Sequence, residues 1–285
     1  MRVLVTNDDG VRSEGLHALA AALHGAGHDV IVVAPTSDRS GTGAALGLVH
    51  ADQRLDVERV ELPGCEGVPA YALDGPPAMC VVAARLGAFG DPPPVVVSGI
   101  NPGLNTGRAI LHSGTVGAAL TAQNFGGSGL AVSLDAKEPW HWDTAARFAV
   151  EVLPRLLEAP ARTVLNLNVP ALPYHEVGGV RWARLAPFGA VRAAVAESTD
   201  GRLQFELRAT GVAPPPDSDT GTVEQGYAAL TTIVGIAEAW PPELHDMPEL
   251  REGVVPGVPL DAVHAIPDAS APRWLHRPFA ATEDG

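Results

Sequence analysis

RVLVTNDDGVRSEGLHALAAALHGAGHDVIVVA, residues 2 to 34, decides the fold. Val3-Leu4-Val5 is a continuous apolar run, the pattern of a short strand buried on both faces. Leu16, Leu19, Ala20 and Leu23 then recur at helical spacing until Gly25 and Gly27 stop the helix. Val30-Ile31-Val32-Val33 is a second apolar run, centred in Asp29 to Ala34. Strand, helix and strand in such quick succession form a unit whose strands are parallel and whose crossover is right-handed. The expected fold class is therefore α/β, with a Rossmann-like, doubly wound, mostly parallel sheet.

In a sheet of this kind the loops that follow the strands share one edge, and ligands bind there. The first such loop is Asn7-Asp8-Asp9-Gly10. Adjacent carboxylates in a low-dielectric crevice repel one another, so the pair implies a compensating cation, most simply a hard divalent metal. The same four residues are good turn chemistry, and both readings stand at this point. The second loop, Pro35 to Gly43, offers the hydroxyl of Ser40. A third, Gly99 to Gly107, follows the buried strand Pro94-Val95-Val96-Val97-Ser98 and offers the amide oxygen of Asn101. Taken singly, Ser40 and Asn101 are ordinary turn or cap formers. Converging with Asp8 and Asp9, they make a donor set that suits Mg2+ or Mn2+ better than zinc.

Ser113-Gly114-Thr115 opens a small-residue helix through Ala118, Ala119 and Leu120. It reads either as an ordinary serine cap or as a phosphate seat, since free N–H groups and the helix dipole favour an anion. Beside it, His112 is a candidate to protonate a leaving alkoxide at neutral pH or to hydrogen-bond a phosphate. A metal next to a phosphate seat points to hydrolysis of a phosphate monoester, with a water or a carboxylate such as Asp8 attacking phosphorus.

The remaining core elements are a strand or hairpin arm in residues 53 to 61 and a helix over 75 to 88 opened by Pro76-Pro77. A strand from Gly129 to Leu134, an amphipathic helix from about Trp142 to Leu157 and a strand from Thr163 to Val169 follow. After Pro170 the character changes. Val180 to Leu185, Leu203-Phe205-Leu207 and Gly226 to Val234 read as strands between Pro/Gly-rich loops. The expected organisation is an α/β core over 1–170, an antiparallel β-rich extension over 171–240 that pairs with another subunit and returns to the core, and a Pro-rich, partly ordered tail over 241–285.

Composition narrows the function. The chain has 285 residues, 46% of them hydrophobic, enough for a sizeable core. Its 19 basic against 33 acidic residues, a formal charge of −14, argue against binding a nucleic-acid polymer or an anionic membrane. A small anionic substrate stays compatible if a metal supplies local positive charge. Cys65 and Cys80 form neither a CxxC pair nor a zinc cluster and read as buried, inert thiols. The few apolar residues before the first turn are too short for a signal peptide and no run reaches a membrane span, so a cytoplasmic protein is expected.

Six stretches together resemble one family: VLVTNDDGV at 3–11, VVAPTSDRSG at 32–41, VVSGINPGLNTG at 96–107, HSGTVGAA at 112–119, LAVSL at 130–134 and LNLNVP at 165–170. They are similar to the SurE, or stationary-phase survival protein E, family of metal-dependent 5'/3'-nucleotidases. SDTGTVEQGYAALT at 218–231 is a weaker match to a later segment of that family. The resemblance implies one divalent ion per subunit on Asp8, Asp9, Ser40 and Asn101, with Asn105 and Ser113 to Thr115 near the phosphate. It also implies dephosphorylation of nucleoside monophosphates, and homodimers or homotetramers with an exchanged C-terminal element. The chain departs from the family pattern at Met79 before Cys80, at Thr121-Ala122, and at Ala44, Ala45 and Gly47. Those departures leave the metal ligands untouched and bear on the substrate pocket, helix packing or subunit contacts.

Four other readings compete. The same chemistry on another small phosphate ester and a noncatalytic nucleotide-binding descendant share every motif above. A receiver-like signalling module would need an aspartate where the strand at 94–98 ends in Ser98. A dinucleotide-binding module would need GxGxxG in the first turn, where Asn7-Asp8-Asp9-Gly10 would set carboxylates against phosphates.

Overall fold

The computed structural model describes residues 1–47, 54–187, 191–199, 202–209 and 211–236; for 191–199 and 202–209 it describes the backbone. The tail expected over 241–285 lies outside the described residues. Residues Met1–Gly235 form one compact unit.

The expected opening unit is present as β1 (Arg2–Thr6), α1 (Glu14–Gly25) and β2 (Asp29–Pro35), with β1 and β2 parallel. Next come β3 (Val57–Val60), β4 (Ala70–Leu73), α2 (Pro77–Arg85) and β5 (Val95–Pro102). The chain continues through a 3₁₀ helix (Gly107–His112), α3 (Gly114–Asn124), β6 (Ser128–Leu134), α4 (Trp142–Glu158) and β7 (Val164–Val169). After a short 3₁₀ turn (Tyr174–Glu176) it adds β8 (Val180–Trp182), β9 (Val191–Thr199), β10 (Arg202–Ala209), α5 (Asp219–Glu224) and β11 (Ala228–Ile233).

Nine of these strands make one sheet in the order β3-β4-β2-β1-β5-β6-β7-β11-β8. From β4 to β7 every neighbouring pair is parallel, and β3 and β11 join antiparallel at either side. The strand order reverses direction at β1, which lies between β2 and β5, so the crevice of a doubly wound sheet opens above the ends of β1 and β5. The hairpin of β9 and β10 is a separate two-stranded antiparallel sheet.

Alternation along each strand explains why helices cover both faces. Val3, Val5, Val30, Val32, Val95 and Val97 pack with Leu16, Leu19 and Leu23 of α1 and with Phe148, Val152 and Leu156 of α4. Leu4, Ile31, Val33 and Val96 point the other way, onto Met79, Cys80 and Val82 of α2 and Ala118 and Ala122 of α3. Each fully buried leucine or valine here contributes on the order of 2 kcal/mol by leaving water. Cys65 and Cys80 are both buried free thiols, and burial pushes Cys80 up to about 12. Met79 and Ala122 lie in the α2–α3 packing layer, and the buried Thr121 donates its hydroxyl to Gly117 O at 2.7 Å. Among the described residues no helix is long and apolar enough to cross a membrane.

Four features differ from the sequence expectations. The strand expected at 53–61 is β3, and its partner β4 has no counterpart among them. β5 runs on through Asn101 to Pro102 past a register shift between Ser98 and Asn101, so Asn101 belongs to a strand and not to a free loop. Gly99 makes that irregularity possible, since a Cβ there would lie 2.3 Å from Val132 O. The loop leading to His112 contains a 3₁₀ helix, and the segment 218–225 contains α5. Finally, β9 precedes the expected strand around Leu203 and pairs with it.

Candidate active site

The turn after β1 is held by its own asparagine. The buried Asn7 side chain accepts from Gly10 N at 3.2 Å and donates to Gly10 O at 3.0 Å and to Ser13 Oγ at 3.1 Å. Ser13 in turn caps α1 by accepting from Leu16 N. Turn chemistry and a site for charge are thus the same object, because fixing Asn7 leaves the next two carboxylates projecting at the sheet edge. Two backbone bonds, Arg39 N to Asp8 O at 2.7 Å and Val11 N to Pro35 O at 2.8 Å, draw the loop after β2 onto this turn.

Asp8 is 3% exposed and sits at the first turn of α3. Thr115 Oγ1 donates to Asp8 Oδ1 at 2.5 Å. Burial raises the Asp8 pKa, while the Thr115 hydroxyl and the backbone N–H groups of Thr115 and Gly114 pull it back. Gly114 must be glycine for this approach, since a Cβ would stand 2.7 Å from Asp8 Oδ2. The sequence expectation placed a phosphate on the start of α3. In the structure the anion that these groups meet is Asp8, and Ser113 serves as the helix cap by accepting from Val116 N at 3.1 Å.

Asp9 behaves differently. Burial, then the charge of Asp8, then that of Asp38 push its carboxyl up to about 7. Its Oδ2 is buried with no hydrogen-bond partner among the described residues. Ser40 donates its hydroxyl to Asp38 Oδ1 at 2.6 Å and its N–H to the same oxygen at 2.7 Å, which holds the Asp38 carboxyl below its ordinary value. Asn101 Nδ2 donates to Gly103 O at 2.7 Å, and its Oδ1 has no protein partner among the described residues.

Asp8, Asp9, Ser40, Asn101, Asn105, His112 and Ser113 line one open cavity of about 290 Å3. Gly114 and Thr115 lie behind that wall, buried against Asp8. His112 is exposed at the end of the 3₁₀ helix, where its carbonyl accepts from Gly43 N at 3.2 Å. Among the described residues no lysine or arginine lines the cavity. Among the described residues no three His, Cys, Asp or Glu side chains gather to hold a metal, so the donor set is two carboxylates with neutral oxygens. That set, with the orphaned Asp9 Oδ2 inside it, fits a hard divalent cation.

Four residues that sequence reading passed over hold the site in place. Asn166 and Asn168, both fully buried on β7, donate their amides to Asn105 O at 2.8 and 3.0 Å, and Asn168 Oδ1 accepts from Asn105 N at 2.8 Å. Ser133 Oγ accepts from Asn105 Nδ2 at 2.9 Å. Asp38 orients Ser40 as described above. The alternation Leu165-Asn166-Leu167-Asn168-Val169 was the available signal: two asparagines on one face of a buried strand need partners.

A family model described as Survival protein SurE matches residues 3–189, about two thirds of the chain. The chain belongs to the SurE family. Among its SurE relatives, the 5'-nucleotidase SurE of Xanthomonas campestris pv. campestris (strain B100) is 40% identical over 242 residues, covering 82% of this chain and 89% of that protein. The 5'-nucleotidase SurE of Stenotrophomonas maltophilia (strain R551-3) is 38% identical over 240 residues, with the same two coverages of 82% and 89%. The crystal structure of the SurE protein from Aquifex aeolicus superposes with a TM-score of 0.68 at 29% identity, covering 82% of this chain and 93% of that one.

Proposed function

We propose that this chain is a divalent-metal-dependent phosphatase that hydrolyses nucleoside 5'- and 3'-monophosphates to nucleoside and phosphate. The observation that carries the reading is the buried carboxylate oxygen of Asp9, without a hydrogen-bond partner among the described residues, on a residue that lines one cavity with Asp8, Ser40 and Asn101 in a SurE chain. Asp8, Asp9, Ser40 and Asn101 would hold one Mg2+ or Mn2+ per subunit. Such an ion, when bound, polarises a phosphoryl oxygen and lowers the pKa of a water.

The chain's own groups supply the rest. Asn105, immobilised through its backbone and its amide, contacts the phosphate together with Ser113. Gly114 and Thr115 act one step back, holding the Asp8 carboxyl in place and offsetting part of the upward shift that burial imposes on it. His112, exposed at the cavity rim, gives its proton to the leaving alkoxide. Because Asp8 is held by Thr115 and nearly closed to solvent, water is the better-placed nucleophile. The detached β9–β10 hairpin supports an arm that pairs with a second subunit, since a lone two-stranded hairpin is marginal in water. Removing residues 190–210 should then convert a homodimer or homotetramer to a smaller species in light scattering, and an unchanged mass would sink that assignment. The proposal extends to a cytoplasmic location.

The test is phosphate release by the purified protein with Mg2+ or Mn2+ and again with EDTA. The panel spans 5'- and 3'-nucleoside monophosphates, p-nitrophenyl phosphate and sugar phosphates. Release confined to metal-loaded protein and fastest with nucleotides is expected. Preference for another ester would keep the chemistry and replace the substrate, and no release by metal-bound protein would overturn the reading.

A further inference from the structure

We infer that Asp219 and Asn168 are positioning residues that clamp the start of the 3₁₀ helix carrying His112; the inference rests on the phosphatase reading above. Asp219 opens α5, far along the chain from the other site residues, and is fully buried. Its Oδ2 accepts from Gly107 N at 2.8 Å. Its Oδ1 accepts from Ala186 N at 2.9 Å and from Thr220 N at 2.8 Å. Its own N–H donates to Arg184 O at 2.7 Å. A buried carboxylate meeting three backbone donors is a strong, directional anchor.

The partner of Oδ2 is what turns an anchor into a positioning device. Gly107 is the first residue of the 3₁₀ helix that ends at His112, and Thr106 before it provides no side-chain cap. Two residues upstream, Asn168 holds Asn105 by both backbone groups. The segment 105–107 is therefore fixed from β7 and from α5 at once, and the helix beyond it presents Ala109 and His112 to the cavity. The proposed metal ligands Asp8, Asp9, Ser40 and Asn101 make none of these bonds. Loosening the clamp should thus disturb proton delivery and leave metal binding alone.

Asp219→Asn separates this role from general stability. Its amide oxygen keeps the two bonds to Ala186 and Thr220, so its NH2 group faces the Gly107 N–H, donor against donor. With 5'-AMP and Mn2+, the variant should lose about tenfold in kcat with KM nearly unchanged, and in a His112→Ala background the same change should cost less than about twofold. Mn2+ affinity by calorimetry should match the wild type, and amide exchange should quicken over residues 105–112 and not over 8–10. Equal losses in both backgrounds, or a fall in Mn2+ affinity, would overturn the proposal. If Asp219→Asn does not fold, Asp219→Ser, which also releases the Gly107 N–H, passes through the same cycle with the same criteria. A wild type inactive on 5'-AMP would count against the phosphatase reading instead, and exchange over 105–112 would still decide the clamp.

Discussion

Asp9→Asn tests the electrostatics of the site without activity as the readout. In the metal-free protein, burial and the charges of Asp8 and Asp38 push the Asp9 carboxyl from 3.8 up to about 7. The folded state then binds this proton more tightly than the unfolded chain. Stability tied to the protonated form is fully present below pH 3.8, declines as pH rises, and is lost above about pH 7. The gap corresponds to about 4 kcal/mol, and because Asp9 keeps some solvent contact, screening reduces a realistic figure to about 2 kcal/mol. Asparagine has nearly the same shape and no charge to bury. Metal-free Asp9→Asn should therefore be more stable than the wild type at pH 8 by about 2 kcal/mol, or roughly 4–8 °C in Tm, with the difference vanishing near pH 4. Scanning calorimetry in EDTA from pH 4 to 8 measures this, and a repeat with Mn2+ completes it. Added Mn2+ should raise the wild-type Tm at pH 8 and move the variant far less. A variant that is less stable than the wild type at pH 8, or that gains as much from Mn2+, would refute the reasoning.

Two further substitutions probe single contacts. Gly114→Ala improves helix propensity, yet its Cβ would stand 2.7 Å from Asp8 Oδ2; displacement of that carboxylate should weaken Mn2+ binding by about tenfold or more. Calorimetric titration checks it, and an unchanged affinity would mean that the position of Asp8 is unimportant. His112→Ala should slow hydrolysis of nucleotides more than that of p-nitrophenyl phosphate, whose leaving group needs little protonation. Equal losses on the two substrates would remove the general-acid role.

The parts of this fold that could be read from sequence are those whose signal is local. Val3 to Val5 and Val30 to Val33 are unbroken apolar runs, and parallel topology alone then brings Asp8, Ser40 and Asn101 to one edge. β4 escaped because Ala70-Tyr71-Ala72-Leu73 is four residues with two alanines, too brief for any period to show. α5 escaped because DTGTVE has almost no apolar face, only the Ser218 cap. The start of α3 was read for what it offers, free N–H groups, and the anion nearest to it in space lies 107 residues earlier in the chain. Asn166 and Asn168 were visible as polar residues in a buried strand, but their partner Asn105 lies about sixty residues away and only tertiary structure pairs them.

With Asp8 against the start of α3 and no lysine or arginine among the described residues of the cavity wall, a phosphate dianion approaches two carboxylates, with Asp38 beside them. At pH 8, above the value of about 7 to which Asp9 is pushed, each ionised carboxylate repels each unit charge on phosphate by roughly 3 kcal/mol at about 5 Å and an effective dielectric near 20. Binding without a cation is then strongly disfavoured, and a divalent ion reverses the sign of the local field. Phosphate and metal must therefore bind with positive coupling, and linkage requires each to raise the other's affinity by the same factor. A coupling of about 3 kcal/mol is about a hundredfold. Titration of Mn2+ into protein with and without inorganic phosphate, and of phosphate into protein with and without Mn2+, measures the two factors independently. Phosphate binding equally well to the metal-free protein would show that some cationic group outside this wall meets it, and the division of labour drawn here between Asp8, Asp9 and the ion would fall.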